Sequence, residues 1–333
     1  MTLKEFTSDF LSPSPFLEVK TSGSTGTPKQ LLVEKCRMRA SARMTCNFLN
    51  LSEGDSALLC MPLDYIAGKM MVVRAIERNL RLISMEPTGH PFKDISTRLQ
   101  QEGIEALVFA AIVPLQLHNT LLVPEEKDAL MQIRHVIVGG GAISDEMEKQ
   151  LRTFPNAIWS TYGMTETLSH VAMRRLSGED ATEWYTPMPG VNLSQDKDGC
   201  LIIDAPTLNP ETLHTNDIVQ LHENGTFRIL GRRDNVICSG GVKLQIEEME
   251  RELAQYLSFP FVVTKAKDEK FGEIAVLLTE GSTTQAEAEI PELSNKYFRP
   301  KKILHIDKLP QTETGKPARA RAMEIASKLI LEK

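Results

Sequence analysis

Short, nearly continuous apolar runs separated by segments with helical spacing set the tightest limit on how this 333-residue chain can fold. Residues 16–20, 56–62, 80–86, 105–111, 135–140 and 157–162 read as strands. Several lack the polar alternation of a strand that meets water on one face, so they suit a parallel sheet covered on both sides. Between them, residues 69–79, 94–103 and 144–154 have helical spacing, with Ser144 positioned to cap the last. This alternation over residues 16–231 predicts a large α/β domain. The pattern shifts near Arg233 to a strand, a glycine-rich turn and a helix with Ile246, Met249, Leu253 and Leu257 on one face. Further strands at 261–266 and 273–279 and a closing helix at 320–333 follow. The expected division is therefore an α/β domain over residues 1–231 and a small α+β domain over 232–333.

The bulk numbers narrow the function. A chain that is 41% hydrophobic and 25% charged can bury a large core. Its formal charge of -6 lacks the basic footprint of a nucleic-acid binder, and no nucleic-acid partner is expected. The N-terminus has no apolar leader, and no apolar run approaches the roughly 18 residues of a membrane span. A cytoplasmic protein without a membrane partner is the expectation. Five scattered cysteines (Cys36, Cys46, Cys60, Cys200, Cys238) offer neither a disulfide framework nor a zinc ribbon and read as reduced thiols.

The densest local signal is Thr21-Ser22-Gly23-Ser24-Thr25-Gly26-Thr27-Pro28-Lys29. Hydroxyls and glycine amides alternate beside one cation, which lets a loop approach a polyphosphate closely and offer it many donors. It is not a Walker A loop, because the lysine follows proline. A surface turn rich in small polar residues has a similar composition, so the loop alone leaves both readings open.

With this loop the chain resembles the adenylate-forming superfamily of acyl-CoA synthetases, peptide-synthetase adenylation domains and luciferases. The loop matches that family's phosphate loop at every position, and four further segments match in the family's order, from residue 16 to the C-terminus. The resemblance implies that Thr21, Ser22, Gly23, Ser24, Thr25, Gly26 and Lys29 hold ATP. In the segment Ser160–Glu166 it sets Tyr162 and Gly163 against adenine, Thr165 on phosphate and Glu166 on Mg²⁺. One carboxylate suffices there, because Mg²⁺ commonly takes one protein carboxylate plus phosphate oxygens. Gly140, Gly141 and Ala142 resemble the adenine-flanking turn. Asp217 and Arg232 resemble the two ribose contacts, and Asp234 the hinge of a small mobile C-terminal domain. Ser239, Gly240 and Gly241 resemble the lining of a pantetheine tunnel, and Lys316 the lysine that promotes adenylation.

The resemblance also implies an N-terminally shortened form of the fold. The family's long portion before the phosphate loop is absent, which predicts a homodimer or a remodelled edge. Asn216 stands where the family has glycine before Asp217, and Asn tolerates a left-handed backbone better than most residues. Asp64-Tyr65 stand where the family often has an aromatic and a histidine in its acyl pocket. The compact length and the start of the helix after Lys243 are most similar to the o-succinylbenzoate–CoA ligases of menaquinone synthesis. That substrate carries two carboxylates, so the pocket should hold a second cation or donor cluster. Ser169, His170 and Arg174 are candidates, a capping or solvent-facing role being the equal alternative.

The implied activity is a ligase acting through an acyl adenylate, with a small carboxylic acid, ATP, Mg²⁺ and coenzyme A as its partners. Other acyl- or aryl-CoA synthetases, a ligase delivering to a carrier protein and an inactive nucleotide-binding relic are the alternatives. Retention of Glu166, Asp217, Arg232 and Lys316 together argues against the relic. A positioned ammonium facing the charge that builds on the α-phosphate is worth on the order of 3 kcal/mol. Lys316→Ala is therefore expected to slow acid-dependent ATP–pyrophosphate exchange about a hundredfold; exchange at the wild-type rate would remove Lys316 from the chemistry.

Overall fold

The computed structural model describes residues 1–20, 30–293, 295–312 and 317–331. The chain forms two compact units, one of residues 1–194, 203–213 and 221–228, the other of residues 195–202, 214–220 and 229–333.

The first unit is organised around a seven-stranded sheet in the order Arg81–Ser84, Ser56–Leu59, Phe109–Ile112, His135–Val138, Ala157–Gly163, His170–Arg175, Thr186–Pro187. The first five strands pair parallel, and the last two pairings are antiparallel. Ser56–Leu59 and Phe109–Ile112 are buried at all positions, as the unbroken apolar runs predicted. Leu58, Ala110, Ile112, Val136, Val138 and Ile158 pack with Phe92, Leu117, Leu130 and Phe154 into one core. Helices Ile66–Arg78, Ile95–Gln101 and Asp145–Leu151 fall on the segments with helical spacing. Ser144 caps the last of them, its Oγ accepting the amide of Met147 at 3.3 Å.

A helix at Leu3–Leu11 precedes the sheet and had no sequence-level expectation. Thr2 and Glu5 form a reciprocal capping box at its start, and Phe6 and Phe10 are buried. At its other end Lys35 Nζ donates to the carbonyls of Asp9 at 2.6 Å and Ser12 at 3.2 Å, serving acceptors that a helix end leaves open. Phe16–Lys20 and Gln30–Glu34 then pair antiparallel up to Lys20 and Gln30. The phosphate loop, residues 21–29, joins these strands and lies outside the described residues. A four-stranded sheet follows in chain order: Asn192–Gln195, Cys200–Asp204, Leu213–Leu221 and Phe227–Arg232.

In the second unit a sheet runs in the order Val242–Gln245, Val236–Ser239, Gly272–Thr279, Phe261–Asp268, with Lys302–His305 parallel to Gly272–Thr279. Ser239 and Val242 face each other across a two-residue turn. Gly240 and Gly241 have φ of 55° and 85°, the pair of left-handed corners that a tight hairpin requires. Helix Ile246–Leu253 buries Ile246, Met249 and Leu253 as predicted, and Leu257 is buried just beyond its end. Helix Arg319–Leu331 packs through Ala322 and Ala326. Among the described residues no helix is long and apolar enough to cross a membrane.

Arg319 fastens this last helix. Its guanidinium meets both oxygens of Glu250 at 2.6 Å and the carbonyl of Val263 at 3.0 Å, while Glu250 also accepts the amide of Val263. Such a fork-on-fork pair, three-quarters buried, leaves a stranded carboxylate when broken. Arg319→Met is expected to cost about 2 kcal/mol, read as faster amide hydrogen exchange along Phe261–Asp268; unchanged protection would show the pair to be idle.

Candidate active site

Two loops leave the same end of neighbouring parallel strands in the first unit. Gly139–Ala142 follows His135–Val138, and Met164–Ser169 follows Ala157–Gly163, with Val138 opposite Ser160. The carboxyl ends of parallel strands are where open α/β sheets bind ligands. Gly140 has φ 85°, and both Gly140 and Ala142 are exposed, while Gly141 is half-buried.

The second loop reverses the chain tightly. The ladder with His170–Arg175 shifts register between Tyr162 and Gly163. A Cβ on Gly163 would lie 2.3 Å from the carbonyl oxygen of Ser169, so only glycine lets the returning backbone pass. Tyr162 is buried and set edge-on to Phe227, ring centres 5.2 Å apart, and to Tyr185 at 6.1 Å. Tyr185 stacks on Phe227 and hydrogen-bonds Ser160 at 2.7 Å. Thr165 is half-buried and Glu166 exposed, with the carbonyl of Glu166 held by Asn209 Nδ2 at 3.0 Å. An exposed carboxylate at the tip of a fixed loop suits a hard cation that arrives with phosphate oxygens. Among the described residues no cluster of three or more potential metal ligands forms.

The second unit assembles another constellation. Arg232 Nη1 meets Asp217 Oδ1 at 2.9 Å, and Arg232 Nη2 meets Asp234 Oδ2 at 3.3 Å. Thr215 orients Asp217 by accepting its amide at 3.1 Å, its own hydroxyl fixed on Leu201 at 2.8 Å. Asn216 lies within the strand Leu213–Leu221, without a positive φ, so the left-handed tolerance of Asn is not needed there. Its side chain instead donates to Asp234 at 3.1 Å and accepts from Arg233. Gly240 in the Ser239-Gly240-Gly241 hairpin donates its amide to Phe271 at 2.8 Å. Lys316 and all of Thr21–Lys29, including Thr21, Ser22, Gly23, Ser24, Thr25, Gly26 and Lys29, lie outside the described residues.

The residues suggested for the acid separate into distinct environments. Asp64 is exposed, 3.8 Å from the terminal ammonium of Met1, and Tyr65 precedes the helix Ile66–Arg78. Arg174 is paired with Glu148, donates to the carbonyl of Thr182 at 3.0 Å and lies over the Tyr185 ring. Burial opposes its charge, but the Glu148 hydrogen bonds outweigh that and hold its pKa above the ordinary value. Ser169 and His170 do come together. His170 is buried, with Nε2 at 3.1 Å from Thr45 Oγ1 and Nδ1 at 3.3 Å from Ser169 Oγ.

Between them lies a residue that the sequence reading missed. Arg74, 2% exposed, donates from Nη2 to Ser169 Oγ at 2.6 Å and from Nη1 to Met71 Sδ at 3.7 Å, and its Nε has no partner. Burial brings its pKa down to about 10, and no carboxylate among the described residues forms an ion pair with it. The sequence signal was a single arginine inside the run Lys69–Ala75, whose other members from Met70 are apolar. Its charge and the burial of His170 hold that imidazole neutral.

The AMP-binding enzyme family matches residues 20–210. Among curated relatives, a 2-succinylbenzoate–CoA ligase from Listeria monocytogenes serotype 4b (strain F2365) is 27% identical over 91% of this chain and 68% of its own length. One from Bacillus cereus (strain AH820) is 25% identical over 93% and 70%. Among solved structures, an acyl-CoA synthetase (AMP-forming)/AMP-acid ligase II-like protein from Dyadobacter fermentans DSM 18053 is 33% identical, with a TM-score of 0.64 over 97% of this chain and 92% of that one. The Bacillus subtilis o-succinylbenzoate CoA synthetase in complex with its acyl-adenylate intermediate shares the fold at 22% identity and a TM-score of 0.75, covering 92% of this chain and 68% of that one.

His170 has a pKa held well below its ordinary 6.5, first by burial and then by Arg74. Below that value the unfolded chain takes up a proton that the folded one refuses, so stability present above it is lost as the pH falls. The loss reaches up to about 1.4 kcal/mol per pH unit. The Tm of the wild type should accordingly drop more between about pH 7.5 and about pH 5.5 than that of His170→Gln. Parallel curves would place His170 in contact with water. His135, also held low by burial, is common to both proteins and cancels.

Proposed function

This chain belongs to the AMP-binding enzyme family, and on that footing we propose that it ligates a dicarboxylic aryl acid, o-succinylbenzoate, to coenzyme A through an acyl adenylate. A carboxylate oxygen of the acid attacks the α-phosphorus of ATP, the bond to the bridging oxygen breaks, and pyrophosphate leaves. The thiol sulfur of coenzyme A, its proton lost, then forms the thioester bond at the acyl carbon as AMP departs. Glu166 is the residue that would hold Mg²⁺ arriving with ATP, and the ion would neutralise charge on the phosphate oxygens. Residues 21–29 bind the phosphates, Gly140 to Ala142 and Tyr162 flank adenine, and Asp217 with Arg232 takes the ribose. Residues 232–333 act as the lid that carries Lys316, with Asp234 as its hinge and Ser239 to Gly241 along the path of the thiol.

Arg74 carries the choice of acid. A buried guanidinium without a counter-ion is costly, and a ligand carboxylate is the group that relieves it. Ser169 orients its fork, and the neutral His170 beside it adds a donor or acceptor without adding charge. An acid with one carboxylate at the phosphate and a second at Arg74 meets both demands. The similarity to 2-succinylbenzoate–CoA ligases supports the same acid.

The test is a panel of mono- and dicarboxylic acids with ATP and Mg²⁺, scored for AMP release with and without coenzyme A. o-Succinylbenzoate should react fastest, with AMP release dependent on coenzyme A. Arg74→Met should lower kcat/KM for o-succinylbenzoate about a hundredfold and that for benzoate far less. No turnover with any acid would sink the ligase reading, and an Arg74→Met enzyme with unchanged preference would sink the choice of acid.

A further inference from the structure

Three residues, Thr167, Leu168 and Ser169, connect Glu166 to His170, and their backbone is held in a form that the chain does not adopt unaided. Thr167 is fully buried. Its Oγ1 accepts the amide of Met164 at 2.9 Å, and its one proton faces the carbonyls of Ser169 at 2.7 Å and Met164 at 2.9 Å. The next residue, Leu168, has φ 65° and ψ -39°, and the amide of Ser169 returns to the carbonyl of Thr167 at 2.7 Å. That is a γ-turn with positive φ, the rarer and more strained of its two forms, here on a non-glycine residue. It persists because it is pinned from both sides. The Leu168 side chain is buried, and the Ser169 carbonyl is trapped between Thr167 Oγ1 and the backbone of Gly163.

One end of this pinned segment bears Glu166, whose own carbonyl is held by Asn209. The other bears Ser169, whose Oγ orients Arg74. We propose that Thr167 is a positioning residue that locks these two ends into one rigid piece, so that Mg²⁺-nucleotide binding at Glu166 and carboxylate binding at Arg74 strengthen each other. This rests on the functional reading given above for those two residues. The physical reason is over-determination. Without the hydroxyl, Leu168 is free to relax toward negative φ, which rotates the peptide that relates Ser169 to Glu166. Each ligand would then have to order its own half of the loop. With the hydroxyl in place, the first ligand orders both halves, and the coupling is reciprocal by linkage.

The experiment is calorimetric titration of the whole protein with a non-hydrolysable ATP analogue and Mg²⁺, with and without saturating o-succinylbenzoate. In the wild type the acid should tighten analogue binding about fivefold or more, and omission of Mg²⁺ should abolish the effect. Thr167→Val keeps the shape, lacks the hydroxyl, and should bring the coupling to within about twofold. It should also raise the KM for the acid and the Mg²⁺ concentration for half-maximal exchange together. Thr167→Ser restores the hydroxyl and should restore the coupling. Coupling retained in Thr167→Val, or lost equally in Thr167→Ser, overturns the proposal. Should Thr167→Val not fold, the wild type decides alone: both ligands binding without mutual effect rejects the coupling and leaves the ligase reading intact. Failure of o-succinylbenzoate to bind at all removes both.

Discussion

A glycine with no room for a methyl group is the constraint on which the first unit's site depends. The strand Ala157–Gly163 has a parallel neighbour on one side and an antiparallel one on the other, so the chain must turn back on itself at once. At Gly163 the outgoing and returning backbones are in van der Waals contact. Everything in the turn inherits that closeness: the exposure of Glu166, the burial of Thr167, the strained Leu168 and the aim of Ser169 at Arg74. A sheet that was parallel throughout would send the chain into a helix here, and Glu166 and Ser169 would have no common support.

The charges of the two units belong to different energetic regimes. Arg232, with Asp217 and Asp234, is partly exposed, so those pairs are worth little and re-form easily around a ligand. Arg74 is buried, its fork held on the Ser169 hydroxyl. The first kind of cation can exchange partners at little cost, whereas the second feels a missing partner in full. A chain of net charge -6 can thus serve anionic substrates, since the deciding positive charges are few and local.

The strands were legible because parallel strands are apolar along their length, and helices such as Asp145–Leu151 announced themselves by period and cap. The helix Leu3–Leu11 was not read, although Thr2 and Glu5 carry capping-box spacing. The motifs that carry the family resemblance could be read because the residues of each are consecutive. Ser169 and His170 could be named as candidates, whereas Arg74 and Thr45 could not, since they stand far from that pair in the chain and meet it only through packing. Arg174 shows the converse: a cation four residues along the strand from His170 is committed to Glu148. Asn216, read as part of a turn, is strand, because its neighbours pair on both sides and need no left-handed corner.

The hairpin at Gly240 and Gly241 has one more implication. A corner built from two residues without side chains has only peptide groups to show, and the amide of Gly240 is already committed to Phe271. Peptide groups do not titrate, oxidise or change rotamer. The corner therefore keeps one chemistry across changes of pH and redox state, because nothing at it can be protonated, oxidised or turned.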